Sequence, residues 1–298
     1  SNIGNPLMRW STISPNEHGD WLNKRSELFK LYTPLEPEKK FDTKAKSIFN
    51  TFAIGLASNR DAWVYNFSKQ AVVRNMSAMI DFYNQQQQTY QQQVKQDPEL
   101  SVEKIIDTNP TKISWTVNLK KDIERNIPHI FEEDIRYSTY RPFSKQWLYY
   151  DRPFIERIGL SPKLFPTTNH HNIVICVGGL ACRRDGAIFI SKWIPDLNIF
   201  DGGCQCFPLY WYDDSTADIA DLFTQGVRDD KADMDRWVRR DGITDWILST
   251  ARKQYGSKVT KEDIFYYVYG ILHSPDYRAA FSADLKKSLP RLPLVDSA

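Results

Sequence analysis

Between Lys69 and Lys95 the apolar residues Val72, Val73, Met76, Met79, Ile80 and Tyr83 recur at helical spacing, and the chain then runs into NQQQQTYQQQVKQ. A pattern of that length reads as one helix of about seven turns with a single apolar face. Such a face has to be covered, so the flanking segments must supply a sheet or further helices to pack on it. The glutamine tract reads as the solvated end of the helix, with low-complexity disorder as the alternative.

The flanks offer both kinds of element. Ser14 to Tyr32, SPNEHGDWLNKRSELFKLY, has a cap-like Ser14-Pro15 and sets Trp21, Leu22, Arg25, Leu28 and Phe29 at helical spacing, which predicts an amphipathic helix. SIFNTFAIGL and DAWVYNFS, split by the polar ASNR, read as two strands whose turn projects Asn59 and Arg60. ISWTV, RYSTYRPFSKQWLYYD, NIVICVG, AIFISKW and CFPLYWY read as further strands. Asp213 to Asp235 holds eight aspartates against Arg228 and Lys231 and reads as an acidic surface connector. ITDWILSTARKQY, KEDIFYYVYGILH and PDYRAAFSADLKKSL then follow as three helices, the last with Pro275 near its first position. The fold class expected is α+β: a mixed, strand-rich region with flanking helices over residues 1–227, and a helical C-terminal unit over 228–298 packing on it.

Composition excludes several functions. With 41% apolar residues in 298 the chain can build a core, and 39 basic against 37 acidic residues leave a charge of only +2. No global polycation is present, so any anion-binding surface must be a local patch. No stretch reaches the ~18 apolar residues of a membrane span, and no signal peptide is visible, so a cytoplasmic location is expected. The chain starts at Ser1 without a methionine, which suggests a fragment of a longer protein. Cys176, Cys182, Cys204 and Cys206 form C-x₅-C and C-x-C pairs, not zinc-knuckle spacing, and read as buried free thiols.

Catalytic frames are missing as well. There is no phosphate loop and no dinucleotide turn; VGGLA at Val177 has two glycines without the rest of either. The Asp-Pro-Pro-Tyr type tetrapeptide of amino-methyltransferases is absent too. His170-His171 lacks a third ligand and reads as a polar loop, and Asp196 in WIPDLNIF lacks the acid-x-Lys strand of a nuclease site. No catalytic residue, metal or cofactor is expected.

RDAWVYNFS (Arg60 to Ser68), YRPFSKQWLYYD (Tyr140 to Asp151), IPDLNIFDGGCQCFPLYWY (Ile194 to Tyr212) and YVYGILHSPDYRAAFSADLKKSLPRLPL (Tyr267 to Leu294) occur in this order. Together they resemble the C-terminal target-recognition domain of type ISP restriction-modification enzymes. The core of the last block also resembles, more loosely, the recognition domains of single-chain type IIG enzymes, which makes that parent the alternative. The resemblance implies a non-catalytic module that binds double-stranded DNA at a specific sequence. It also implies partners in the same polypeptide, an adenine methyltransferase and a helicase-nuclease. A protein-interaction or scaffold domain is the reading from another class. GGLACRRDGAIF, Gly178 to Phe189, matches no motif of the family.

Reading a duplex takes cations that grip phosphates and planar polar groups that reach base edges. From Arg136 to Lys163 there are six basic and two acidic residues, a local +4. Strands Arg136 to Phe143 and Gln146 to Asp151, joined at Ser144-Lys145, would set Trp147 and Tyr149 on one face and Gln146, Leu148 and Tyr150 on the other. Arg136, Tyr140, Arg141, Lys145, Gln146, Arg152 and Lys192 are the DNA-binding candidates of this region. Arg183 and Arg184 beside the Asp185-Gly186 turn are a second group, suited to guanine contacts, and Asn59 with Arg60 a third. A structural hairpin with solvated arginines is the plain alternative.

Overall fold

The computed structural model describes residues 9–22, 24–180, 182, 187–214 and 236–296. Arg183, Arg184, most of the acidic connector and the domain boundary expected at 227/228 lie outside the described residues. Strands are numbered in chain order, as are helices of eight or more residues.

Two four-stranded sheets form the body. The first runs in the order β2 (Ala53–Ile54), β9 (Cys204–Pro208), β6 (Val174–Gly178), β7 (Ile188–Ser191), all antiparallel. The second runs β3 (Tyr65–Asn66), β5 (Ser144–Tyr149), β4 (Ile135–Arg141), β8 (Ile194–Pro195), with β8 parallel to β4. Strand alternation divides the first sheet between two cores. Val174 and Cys176 enter one with Cys204 and Cys206, while Ile175 and Val177 enter the other with Phe207. Burial on both faces is why NIVICVG reads as an unbroken apolar run rather than an alternating one.

Helix α1 (Lys69–Val94) closes the first core with Val72, Met76, Met79, Ile80 and Tyr83, as its spacing predicts. Its glutamine end is helical and tied down rather than simply solvated. Gln86 Oε1 accepts from the Asp107 N–H (2.7 Å), Gln91 donates to Ile123 O (2.7 Å), and Gln87 is buried against Asn126. These amides hold the segment that carries α2 (Val117–Glu124) onto α1. The second core is closed by α3 (Asp245–Tyr255) and α4 (Lys261–His273), which bring Ile247, Phe265 and Val268 against Phe49 and Phe207. The third expected helix is two short ones, Pro275–Ala280 and Ser282–Leu285, with Pro275 in the first turn.

Three local readings are corrected. Among the described residues of Ser14 to Tyr32 only Glu27–Leu31 is helical, because the Asn16 side chain accepts the His18 and Asp20 N–H groups and Gly19 turns at φ +74°, a local bonding pattern that competes with helix. DAWVYNFS opens with a helical turn at Asp61–Val64 and only then becomes β3; the Ser58 hydroxyl caps the Arg60 N–H and bonds Asp61. ISWTV is not a strand, since the Thr116 hydroxyl accepts from Leu119 N–H and starts α2.

Strand β11 (Trp237–Asp241) pairs with β10 (Tyr210–Asp214), and the chain then turns through Gly242 into α3. Gly242 N–H donates to Leu209 O (2.7 Å), and its own carbonyl accepts from Asn50 N–H (2.8 Å). A Cβ there would lie 2.0 Å from Pro208 O, a backbone atom that cannot step aside. Gly242→Ala should therefore lower unfolding free energy by about 2–3 kcal/mol or more, the upper range for overpacking, as read by urea denaturation.

Candidate nucleic-acid interface

The β4–β5 hairpin turns at Pro142-Phe143, two residues earlier than the sequence suggests, with Arg141 opposite Ser144. Proline fixes its own φ and suits the first turn position. Phe143 follows at φ +61° and is 92% exposed, meeting among the described aromatic residues only Phe189, in a T-shaped contact at 5.3 Å between centroids. At the base of the hairpin both faces of β5 are covered. Leu148 enters the core on one side, and Tyr149 packs on Phe131 and Phe154 on the other.

Between tip and base the hairpin joins the turn from β7 to β8. Tyr137 and Trp147, directly opposite across the strands, stack at 3.8 Å with 26° between planes. Lys145 Nζ lies 3.7 Å from the centroid of the Trp193 ring, and Lys192 Nζ lies 5.3 Å from the same ring. Tyr137, Trp147, Lys192 and Trp193 line a cleft of about 360 Å³ with His170 and His171. The result is a face of flat rings studded with ammonium groups, suited to phosphates and to planar ligands.

The other expected contacts go elsewhere. Arg60 does not project from its turn. It is 3% exposed, with Nη2 donating to Thr116 Oγ1 (2.8 Å), and burial lowers its pKa to about 10. Asn59 stays exposed at φ +55°. Arg136 forms a fork on Asp134 (2.7 and 2.6 Å) and donates Nη1 to Phe165 O (2.7 Å), so it fastens the hairpin to the loop beyond. Tyr140 donates to Asp61 (3.1 Å), and Arg141 lies over its ring at 3.8 Å while pairing with Asp196 at 2.8 Å. Gln146 is half-buried on β5. Arg152 is exposed in a separate cleft with Lys121 and Arg125.

The three buried thiols form a cluster that spacing does not announce. Register sets Cys176 opposite Cys206, and Cys204 follows two residues away on the same face, with Sγ separations of 3.9 Å (176–206) and 3.7 Å (204–206). These are soft ligands within reach of one ion. The Cys204 thiol beside Cys176 pushes the latter's pKa well up, and burial adds to the effect. Sequence reasoning also missed Phe143, Tyr137 and Trp193 as surface residues. The available signal was Pro-Phe in a two-residue turn, where the second position favours glycine.

The sequence profile of the type ISP C-terminal specificity domain matches residues 47–298. No curated protein sequence matches. The chain superposes on a nuclease-deletion mutant of the type ISP restriction-modification enzyme LlaGI in complex with a DNA substrate mimic, with TM-score 0.74 and 32% identity over 97% of this chain and 24% of that one. It superposes on the ATP-dependent type ISP enzyme LlaBIII bound to DNA with TM-score 0.74 and 30% identity, over 96% of this chain and 16% of that one. A DrdV–DNA complex shares the fold at TM-score 0.76 and 23% identity, over 97% and 26%. The chain thus spans about a quarter or less of the LlaGI and LlaBIII chains.

Asp196 is 1% exposed and accepts from Arg141 Nη1, from Tyr65 Oη (3.1 Å) and from Asn198 N–H (2.8 Å). Burial nevertheless outweighs these donors and raises its pKa to about 6. A folded value above the unfolded one of about 3.9 means that the folded state binds the proton more tightly between the two. The contribution to stability is full at low pH and is lost as pH rises through about 6. Asp151, also raised to about 6 by burial, titrates in the same range, so comparison with a variant isolates Asp196. From pH 7.5 to pH 5 the wild-type chain should gain about 1 kcal/mol over Asp196→Asn. Denaturant titrations of both proteins across that range measure the gap, and a constant gap would contradict the assignment.

Proposed function

The chain belongs to the family of type ISP C-terminal specificity domains, and from that premise we propose that it reads double-stranded DNA through the face where the β4–β5 hairpin meets the β7–β8 turn. The observation that carries this reading is the convergence of Lys145 and Lys192 on Trp193, beside the Tyr137–Trp147 stack. Cations in that setting hold phosphates, and the hairpin between them brings side chains to a groove. The structures of LlaGI and LlaBIII to which the chain is similar are complexes with a DNA substrate mimic and with DNA.

On this reading the arginines and lysines have different work. Arg60 fastens its turn to the start of α2 through Thr116, while Arg136 and Arg141 pair with Asp134 and Asp196 and so shape the hairpin. Lys145 and Lys192 face outward and grip the backbone, and Arg152 with Lys121 and Arg125 provides a second phosphate contact. Gln146 is the base-reading candidate on the hairpin, and by sequence alone Arg183 and Arg184 join it. A methyltransferase and a helicase-nuclease of the same polypeptide complete the proposed cytoplasmic restriction enzyme.

Titrating the chain with duplex at two salt concentrations tests this. Lys145→Ala and Lys192→Ala should each weaken binding to every duplex by similar factors and lower the slope of log affinity against log salt by about one. Arg141→Ala should behave differently. It leaves the Asp196 carboxylate buried without its cation, so stability should fall by about 3 kcal/mol before any effect on DNA is seen. Binding that ignores salt would point to a protein-docking face.

A further inference from the structure

Phe143 sits where ordinary energetics disfavour it. A β-carbon residue at φ +61° is held in the left-handed region that glycine or asparagine occupies more readily. The residue is 92% exposed, so its phenyl group recovers almost nothing by burial, and it meets Phe189 in a single T-shaped contact. Strain of this kind at an exposed site is retained where the residue meets something absent from the free protein. The backing is rigid, because Leu148 and Tyr149 are buried at the hairpin base and Arg141 is fixed to Asp196.

The surroundings indicate what it meets. Lys145 follows two positions beyond Phe143, and Lys192 shares Trp193 with it; among the described residues neither ammonium has a carboxylate partner. An apolar protein surface would leave these cations stranded against it, whereas a polyanion with flat apolar rungs satisfies both the charges and the ring. We propose that Phe143 is an apolar wedge which the hairpin presses against one base step of bound duplex, while Lys145 and Lys192 hold the flanking phosphates. The inference rests on the reading of DNA by this face.

The test uses the chain with a duplex that it selects from a randomised pool, carrying 2-aminopurine at successive positions. Wild-type protein should raise 2-aminopurine emission at one step as that base loses its stacking. Phe143→Gly should melt about 2 °C higher than wild type, since glycine relieves the positive φ. The same variant should bind roughly tenfold more weakly or worse and lose the emission change. Phe143→Leu, apolar but without a ring, should retain part of both. Phe143→Gly binding within twofold of wild type with the emission change intact would overturn the wedge and leave DNA reading standing, with the ring free to dock a neighbouring protein. A lower melting temperature for Phe143→Gly would make the ring a packing element and also overturn it. Failure of wild-type protein to bind any duplex would instead remove the reading on which the wedge rests.

Discussion

Asp196 stands at the joint between the two sheets. Its N–H donates to Thr139 O in β4 (3.1 Å), and its neighbours Pro195 and Leu197 exchange backbone hydrogen bonds with Leu56, just beyond β2 (2.9 and 2.6 Å). Gly55 passes so close that a Cβ would lie 2.5 Å from Asp196 O. A carboxylate buried there is costly unless donors surround it, and they come from three directions: Arg141 at the end of β4, Tyr65 in β3 and the Asn198 backbone. The requirement to satisfy one acid thus fixes the hairpin's orientation relative to the first sheet.

The consequences spread outward from that joint. Arg141 is anchored rather than mobile, and the Pro142-Phe143 turn that follows it is presented on a stiff mount. Arg136 does the same at the other end of β4 by joining Asp134 to Phe165 O and Pro166 O. Both guanidinium groups sit over tyrosine rings, Tyr140 and Tyr150, at 3.8 and 4.2 Å. The planar fork with five donors suits such fixed, multi-partner positions, and the flexible lysine suits the solvent side. A specificity domain gains from this division, because contacts set on a rigid support lose less entropy on binding.

Long, strongly periodic elements were legible in the sequence. The apolar face of α1, the unbroken apolar run of β6 in the first sheet and the capped helices α3 and α4 are each dictated by their own side chains, and all occur. The family was legible as well, through blocks such as YRPFSKQWLYYD, all of which lie within the profile match over residues 47–298. Short segments were less so, because Asn16, Ser58 and Thr116 use their side chains to cap turns and override the apolar pattern around them. The fate of the arginines was not legible at all. Arg60 and Arg136 carry the same charge as any surface cation, and only the tertiary placement of Thr116, Asp134 and Phe165 O turns them inward. Cys176 and Cys206 were separated in sequence by thirty residues and met only through strand register.

Hydrogen–deuterium exchange of the chain with and without duplex DNA at low salt tests the central claim, that the β4–β5 tip and the β7–β8 turn form the DNA-facing surface. The account predicts slower exchange over Arg141–Trp147 and Phe189–Trp193 when duplex is present, with α3 and α4 unchanged. Protection confined to α3 and α4, with the hairpin tip exchanging at its free rate, would contradict it.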